Sequence, residues 1–344
     1  MKKLLLTLLV LIIICGAVAG WIFLGPTTGF SSSEKALYIR SDAATKKAVM
    51  DSLVKNKIIS NETAFEFLAN RLNYWQNIKP GKYEIKKGSS VLTIARMLRN
   101  GSQSTVKFTI NKIRTKEDLA EMVGRKFECD STGMLNFLNS EDSLKKFNTS
   151  TELAICNILP DTYTYFWNTY PSKIYQKFFD ASQKFWTDER KQKAQALGLT
   201  TSQAYILASI IEEETTDDKE KDTIASVYLN RLNSGNKRLQ ADPTLKFALK
   251  DFSIKWIHGD MLDVQSPYNT YKNPGLPPGP ICTPSKKTID AVLNAAKTNY
   301  MFFVANPLLN GHLFSVTFEE HQKKAAQYHE EDKLRRERDS LNKK

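Results

Sequence analysis

Cysteine and histidine are scarce in this chain, and the patterns they fail to form exclude several chemistries. The 344 residues hold four cysteines (Cys15, Cys129, Cys156 and Cys282) and four histidines (His258, His312, His321 and His329). No two cysteines stand as C-x-x-C, and neither set has ligand spacing, so neither a metal nor another cofactor is expected. In an oxidising compartment Cys129 and Cys156 could pair, although buried small hydrophobes are the simpler reading. Nucleic-acid signatures of the RNP or zinc-finger kind are also missing, which argues against a nucleic-acid partner. Yet the chain is basic, with 49 Lys and Arg against 37 Asp and Glu, a formal net charge of +12. A surplus of that size favours an anionic partner, here a membrane surface or an anionic polymer. Hydrophobic residues at 41% and charged residues at 25% make an ordinary globular composition and exclude a disordered chain.

The amino terminus is long and apolar. Lys2 and Lys3 precede an uncharged stretch from Leu4 to Leu24, long enough as a helix to cover about 30 Å of hydrocarbon. Positive charge before the run, and none again until Lys35, predicts the amino end inside and the body outside. Ala17-Val18-Ala19 resembles a signal-peptide cleavage site. Trp21-Ile22-Phe23-Leu24 prolongs the apolar stretch beyond it, and a retained single-pass anchor over residues 1–24 is the preferred reading. Either way the body is exported.

Composition then divides the remainder. Residues 25–34 (GPTTGFSSSE) read as a flexible linker. Within 35–110, helical periodicity covers 44–54, 63–72 and 91–98, and short strands are expected at 81–85 and 106–110. A strand, a serine cap, a helix, a glycine turn and a second strand are what a small LysM-like sugar-binding subdomain needs. Residues 115–195 read as largely helical, broken by the aromatic-rich stretch 159–167 with its proline. Those rings suit a glycan cleft or a core equally well. Residues 319–344 read as helical with interleaved charge, a solvated helix ending in a charged carboxy-terminal tail over 331–344. The expected fold class is therefore α+β: an N-terminal membrane anchor, a small LysM-like α/β subdomain, and a larger mixed α/β domain over 111–330.

The most informative helix runs from Thr200 to Thr215. Thr200-x-x-Gln203 has the form of a capping box. Ile206, Leu207, Ile210 and Ile211 make a greasy face, and Glu212, Glu213 and Glu214 then follow in a row. Three consecutive side chains on a helix point about 100° apart, so the carboxylates must meet different surroundings. The wheel puts Glu214 nearest the greasy face. It puts Glu212 beside Tyr205, Ala208 and Ser209, where small side chains leave room for a ligand. Wheel geometry alone does not choose an acid. Downstream come an N-R-L helix (Asn230 to Leu232), Leu239-Gln240-Ala241-Asp242-Pro243-Thr244, Tyr268-Asn269-Thr270-Tyr271 and Gly275-Leu276-Pro277-Pro278-Gly279-Pro280-Ile281. Loops dense in Asn, Gln, Asp and Tyr offer the donors and acceptors that a sugar needs.

This ordered set, with the core Ala208 to Thr215, Phe303-Val304-Ala305 and Gly311-His312-Leu313-Phe314, resembles the MltG (YceG-like) endolytic murein transglycosylase family over about residues 35–330. Glu213, where a basic residue is common, and Leu313 depart from the pattern. The resemblance implies a peptidoglycan lytic transglycosylase that cuts the MurNAc–GlcNAc bond of nascent strands, leaves 1,6-anhydro-MurNAc ends and so terminates strand elongation. It implies Glu212 as the single catalytic acid. Glu214, Asn230, Gln240, Asp242, Tyr268 and Asn269 are the expected substrate-binding residues. It further implies a single-pass protein of the bacterial cytoplasmic membrane, with its catalytic domain on the extracytoplasmic side and contacts with peptidoglycan synthases. Two rivals remain: a lysozyme-type hydrolase with Asp242 as second carboxylate, and a non-catalytic wall-binding scaffold.

Overall fold

The structure, a computed structural model, describes residues 2–306 and 311–341, and their side chains as far as Leu334. It is a mixed α/β chain that divides into two compact units. The first comprises residues 1–108, 123–130 and 163–171, and the second the rest.

The first unit begins with the helix Lys2–Leu24, long and apolar enough to cross a membrane, with none of its residues buried. The segment after it is not the flexible linker that its composition suggests. Thr27 N–H donates to the Ser89 carbonyl at 3.0 Å and Gly29 N–H to the Lys57 carbonyl at 2.8 Å, while Phe30 is buried. One buried ring and a few backbone hydrogen bonds are enough to hold it. Strand Glu34–Ile39 then pairs antiparallel with Gly81–Lys86, with Glu34 opposite Lys86 and Ile39 opposite Gly81. Between them lie the helices Lys46–Lys55 and Glu62–Arg71, capped by Thr45 and Asn61. Ser90 caps a third, Val91–Asn100, which Gly101 ends in a left-handed conformation. Leu37, Leu53, Phe65, Tyr83, Ile94 and Leu98 fill the core between sheet and helices.

The expected strand–helix–strand grouping is thus rearranged. Gly81–Lys86 takes the unforeseen strand Glu34–Ile39 as partner, whereas Thr105–Ile110 pairs with Asp161–Phe166. The latter strand lies in the aromatic stretch read as a helix-breaking interruption. Alternation explains it: Tyr163 and Tyr165 are buried while Thr162, Thr164 and Phe166 are exposed.

The second unit is built around the helix Thr201–Glu214. Residues 204–211 of that helix are all buried, packed with Ile224, Tyr228, Leu239, Ile281, Ile289 and Val292. The capping box is present, with reciprocal Thr200 and Gln203 bonds. The helices Lys221–Asn233, Asp242–Leu249 and Lys286–Leu293 surround it. Strands Phe302–Ala305 and His312–Ser315 follow as an antiparallel pair. Helix Phe318–Leu341 runs straight into the stretch expected to be a tail, whose residues 342–344 lie outside the described ones. Cys129 and Cys156 are free thiols, and Cys156 is buried as a small hydrophobe.

Candidate active site

The three consecutive glutamates enter three different environments. Glu212 faces the amino end of the helix Lys286–Leu293. Its Oε2 accepts from Ser285 N–H at 3.3 Å, from Ser285 Oγ at 3.2 Å and from the Thr288 hydroxyl. Lys221 Nζ closes on the same oxygen at 3.4 Å and donates to Thr288 Oγ1 at 2.9 Å. Glu213 turns the other way, to Lys112 Nζ at 3.2 Å and Arg114 at 3.0 Å. Glu214 is hydrogen-bonded by the Tyr228 hydroxyl and lines a cavity of about 280 Å³.

Around that cavity stand Arg231, Gln240, Asp242, Tyr271, Phe302 and His321. Burial pushes the Glu214 carboxyl up from the ordinary value of 4.5 to about 7. The Tyr228 hydrogen bond pulls it down, the Asp242 charge adds to the rise, and Arg231 and Lys246 oppose it. Asp242 accepts from the Tyr271 hydroxyl at 2.5 Å. Gln240 has a left-handed backbone, φ 53°, in a turn where its N–H donates to the Thr270 carbonyl at 3.1 Å.

Local sequence explains the placement. Pro243 in the first turn starts the helix Asp242–Leu249, so Asp242 sits at its amino end. Tyr228 and Arg231, three residues apart, share one face of Lys221–Asn233. The Arg231 guanidinium is fixed by Nε donating to the Met301 carbonyl at 2.7 Å and by a bond to the Leu239 carbonyl.

Of the expected residues, Glu214, Gln240 and Asp242 come together in this cavity. Others go elsewhere. Asn230 donates both its amide hydrogens to the carbonyls of Thr298 and Tyr300 at 2.9 Å each. Asn269 is fully buried and bonds the Leu262 and Val264 carbonyls and the Tyr271 N–H. The Asn269 amide is thus engaged by backbone at both its nitrogen and its oxygen, the Asn230 amide at its nitrogen, and neither side chain lines the Glu214 cavity. Tyr268 lies against Phe247, ring centroids 4.6 Å apart, in a separate cavity with Ile155, Phe252 and Arg114. The room expected beside Glu212 is filled: Tyr205, Ala208 and Ser209 are fully buried, and Ser209 Oγ accepts from Ile281 N–H. Tyr228, Arg231, Tyr271, Phe302 and His321 were not foreseen as cavity residues. Two of them carried a signal, Arg231 as the middle of the N-R-L motif and Tyr271 as the last member of Tyr268-Asn269-Thr270-Tyr271.

The cavity draws on residues spread from Glu214 to His321, and the YceG-like family profile spans that whole region, matching residues 37–327. The chain belongs to the YceG-like family. It is 28% identical over 300 residues to a Bacillus subtilis (strain 168) protein named endolytic murein transglycosylase, covering 82% of this chain and 81% of that protein. A Streptococcus pneumoniae (strain D39) protein of the same name is 24% identical over 307 residues, covering 80% of this chain and 55% of the relative. The crystal structure of a YceG-like protein from Listeria monocytogenes superposes with a TM-score of 0.56 at 26% identity, covering 85% of this chain and 99% of that one.

Proposed function

We propose that this chain is a peptidoglycan lytic transglycosylase and that Glu214, not Glu212, is its acid. The observation that carries this reading is the contrast between the two carboxyls. A general acid must hold a proton near neutral pH, in a space that a sugar can reach. Glu214 has a carboxyl pushed up to about 7 on the wall of a cavity that also holds Gln240, Asp242 and Tyr271. Glu212 is tied to the ammonium of Lys221, a residue only 4% exposed, and to two hydroxyls.

In this mechanism Glu214 protonates the oxygen between N-acetylmuramic acid and N-acetylglucosamine as the bond to the muramic C1 breaks. The carboxylate then takes the proton of that sugar's own C6 hydroxyl, whose oxygen closes on C1. The product is a 1,6-anhydro ring, and no water is consumed. Asp242 places negative charge beside the electron-poor C1. Cutting inside a nascent strand ends its elongation. The apolar helix would hold the enzyme in the bacterial cytoplasmic membrane with its body outside, beside the synthases that make strands. A LysM-like glycan-binding role for residues 35–110 is supported by a cavity of about 750 Å³ edged with Asn73, Gln76, Asn77 and Asn100, whose amides match sugar hydroxyls.

A second reading, hydrolysis, draws on one observation: Asp242 shares the cavity with Glu214, as a two-carboxylate glycosidase would require. Mass analysis of strands cut by the full-length protein separates the two. Anhydro ends support the lyase; ends carrying one added water support the hydrolase.

A further inference from the structure

His321 is a titratable group of the Glu214 cavity that the mechanism above leaves unused. It reaches the cavity from the helix Phe318–Leu341. Its ring stacks on Phe302, centroids 5.3 Å apart and planes 21° apart, and leans against Phe318. Burial, with Arg231 and Lys324 nearby, lowers its pKa and keeps the imidazole neutral. Nδ1 is buried and has no hydrogen-bond partner among the described residues.

A neutral imidazole carries one N–H. A buried N–H left unpaired is rarer and costlier than a buried lone pair left unpaired. The proton therefore belongs on Nε2, and with Nδ1 sealed off, Nε2 is the nitrogen left for the cavity. We propose that His321 is a substrate-positioning residue of this site, its Nε2–H donating to an oxygen of the saccharide whose bond is cut. The proposal rests on the reading that the Glu214 cavity is where the strand is cut. A stacked, uncharged donor suits a neutral sugar oxygen, such as a hydroxyl or an acetamido carbonyl. The ring is held by its aromatic neighbours, so the donor's direction is set before the sugar arrives.

The experiment uses the full-length protein in detergent and uncrosslinked glycan strands, with His321→Gln and His321→Asn. The Gln amide nitrogen reproduces the reach of Nε2, and the Asn amide nitrogen that of Nδ1. H321N is expected to lower kcat/KM about tenfold, the loss of one neutral hydrogen bond, while H321Q recovers to within about threefold. Equal losses in the two variants at unchanged melting temperature, or no loss in either, would overturn the proposal. Nitrogen-15 spectra of histidine-labelled wild type read the tautomer without any variant: a proton on Nε2 is expected, and one on Nδ1 would overturn it. Glu214→Gln run alongside separates the premise, because activity in that variant would remove the cavity assignment whatever His321 does.

Discussion

Lys221 Nζ lies 3.4 Å from Glu212 Oε2, and Lys221 is only 4% exposed. Removing one partner of a buried pair strands the other charge, at a cost of about 3–5 kcal/mol. Lys221→Met should therefore lower the melting temperature markedly, and Glu212→Gln/Lys221→Met should recover much of the loss. Thermal unfolding of the two single variants and the double variant measures this. Simple additivity would mean that the pair is not coupled.

Tyr228 and Asp242 pull the Glu214 carboxyl in opposite directions, the hydrogen bond lowering its pKa and the neighbouring charge raising it. Tyr228→Phe should shift the alkaline limb of the pH–activity profile upward, and Asp242→Asn should shift it downward. Profiles of kcat/KM for both variants test the pair of signs. Shifts in the same direction would show that Glu214 does not set that limb.

The same carboxyl makes stability depend on pH. Its folded pKa of about 7 lies above the ordinary 4.5. Its stabilising contribution is therefore fully present below about pH 4.5 and is lost as the pH rises through about 7. Denaturant unfolding of Glu214→Gln against wild type across that window should show the variant gaining relative stability as the pH rises. A constant difference would contradict the raised value.

Asn230 spends its amide on the carbonyls of Thr298 and Tyr300. Asn230→Ala leaves both acceptors without it and should cost about 1–3 kcal/mol of stability. Its KM for strands, measured below the melting transition, should stay near the wild-type value. A raised KM with unchanged stability would return Asn230 to the substrate.

Much of the fold could be read locally, and the site only in part. The helix Thr201–Glu214 announces itself through Thr200, Gln203 and its apolar spacing, all within one turn or two. Strand Glu34–Ile39 was missed because its partner stands more than 40 residues away, and nothing local favours the pairing. The wheel rightly separates three glutamates, but their surroundings are tertiary. Lys221, Ser285 and Thr288 claim Glu212 from two other helices and a loop, whereas Tyr228, on the same helix as Lys221, converges on the cavity of Glu214 with Asp242 and His321 from two further helices. Asn269 is expected at the sugar because loops dense in Asn offer donors and acceptors. Its burial and its three backbone bonds depend on how that loop closes.

The choice of acid is tested most directly by incubating purified peptidoglycan with wild type, Glu214→Gln and Glu212→Gln and quantifying anhydro-ended products by mass spectrometry. Removing a general acid costs about 10²–10⁴-fold in rate. E214Q should lose activity on that scale while keeping its fold. E212Q should retain the chemistry and lose mainly stability. Full activity in E214Q, with a folded but inactive E212Q, would contradict the assignment and return the acid to Glu212.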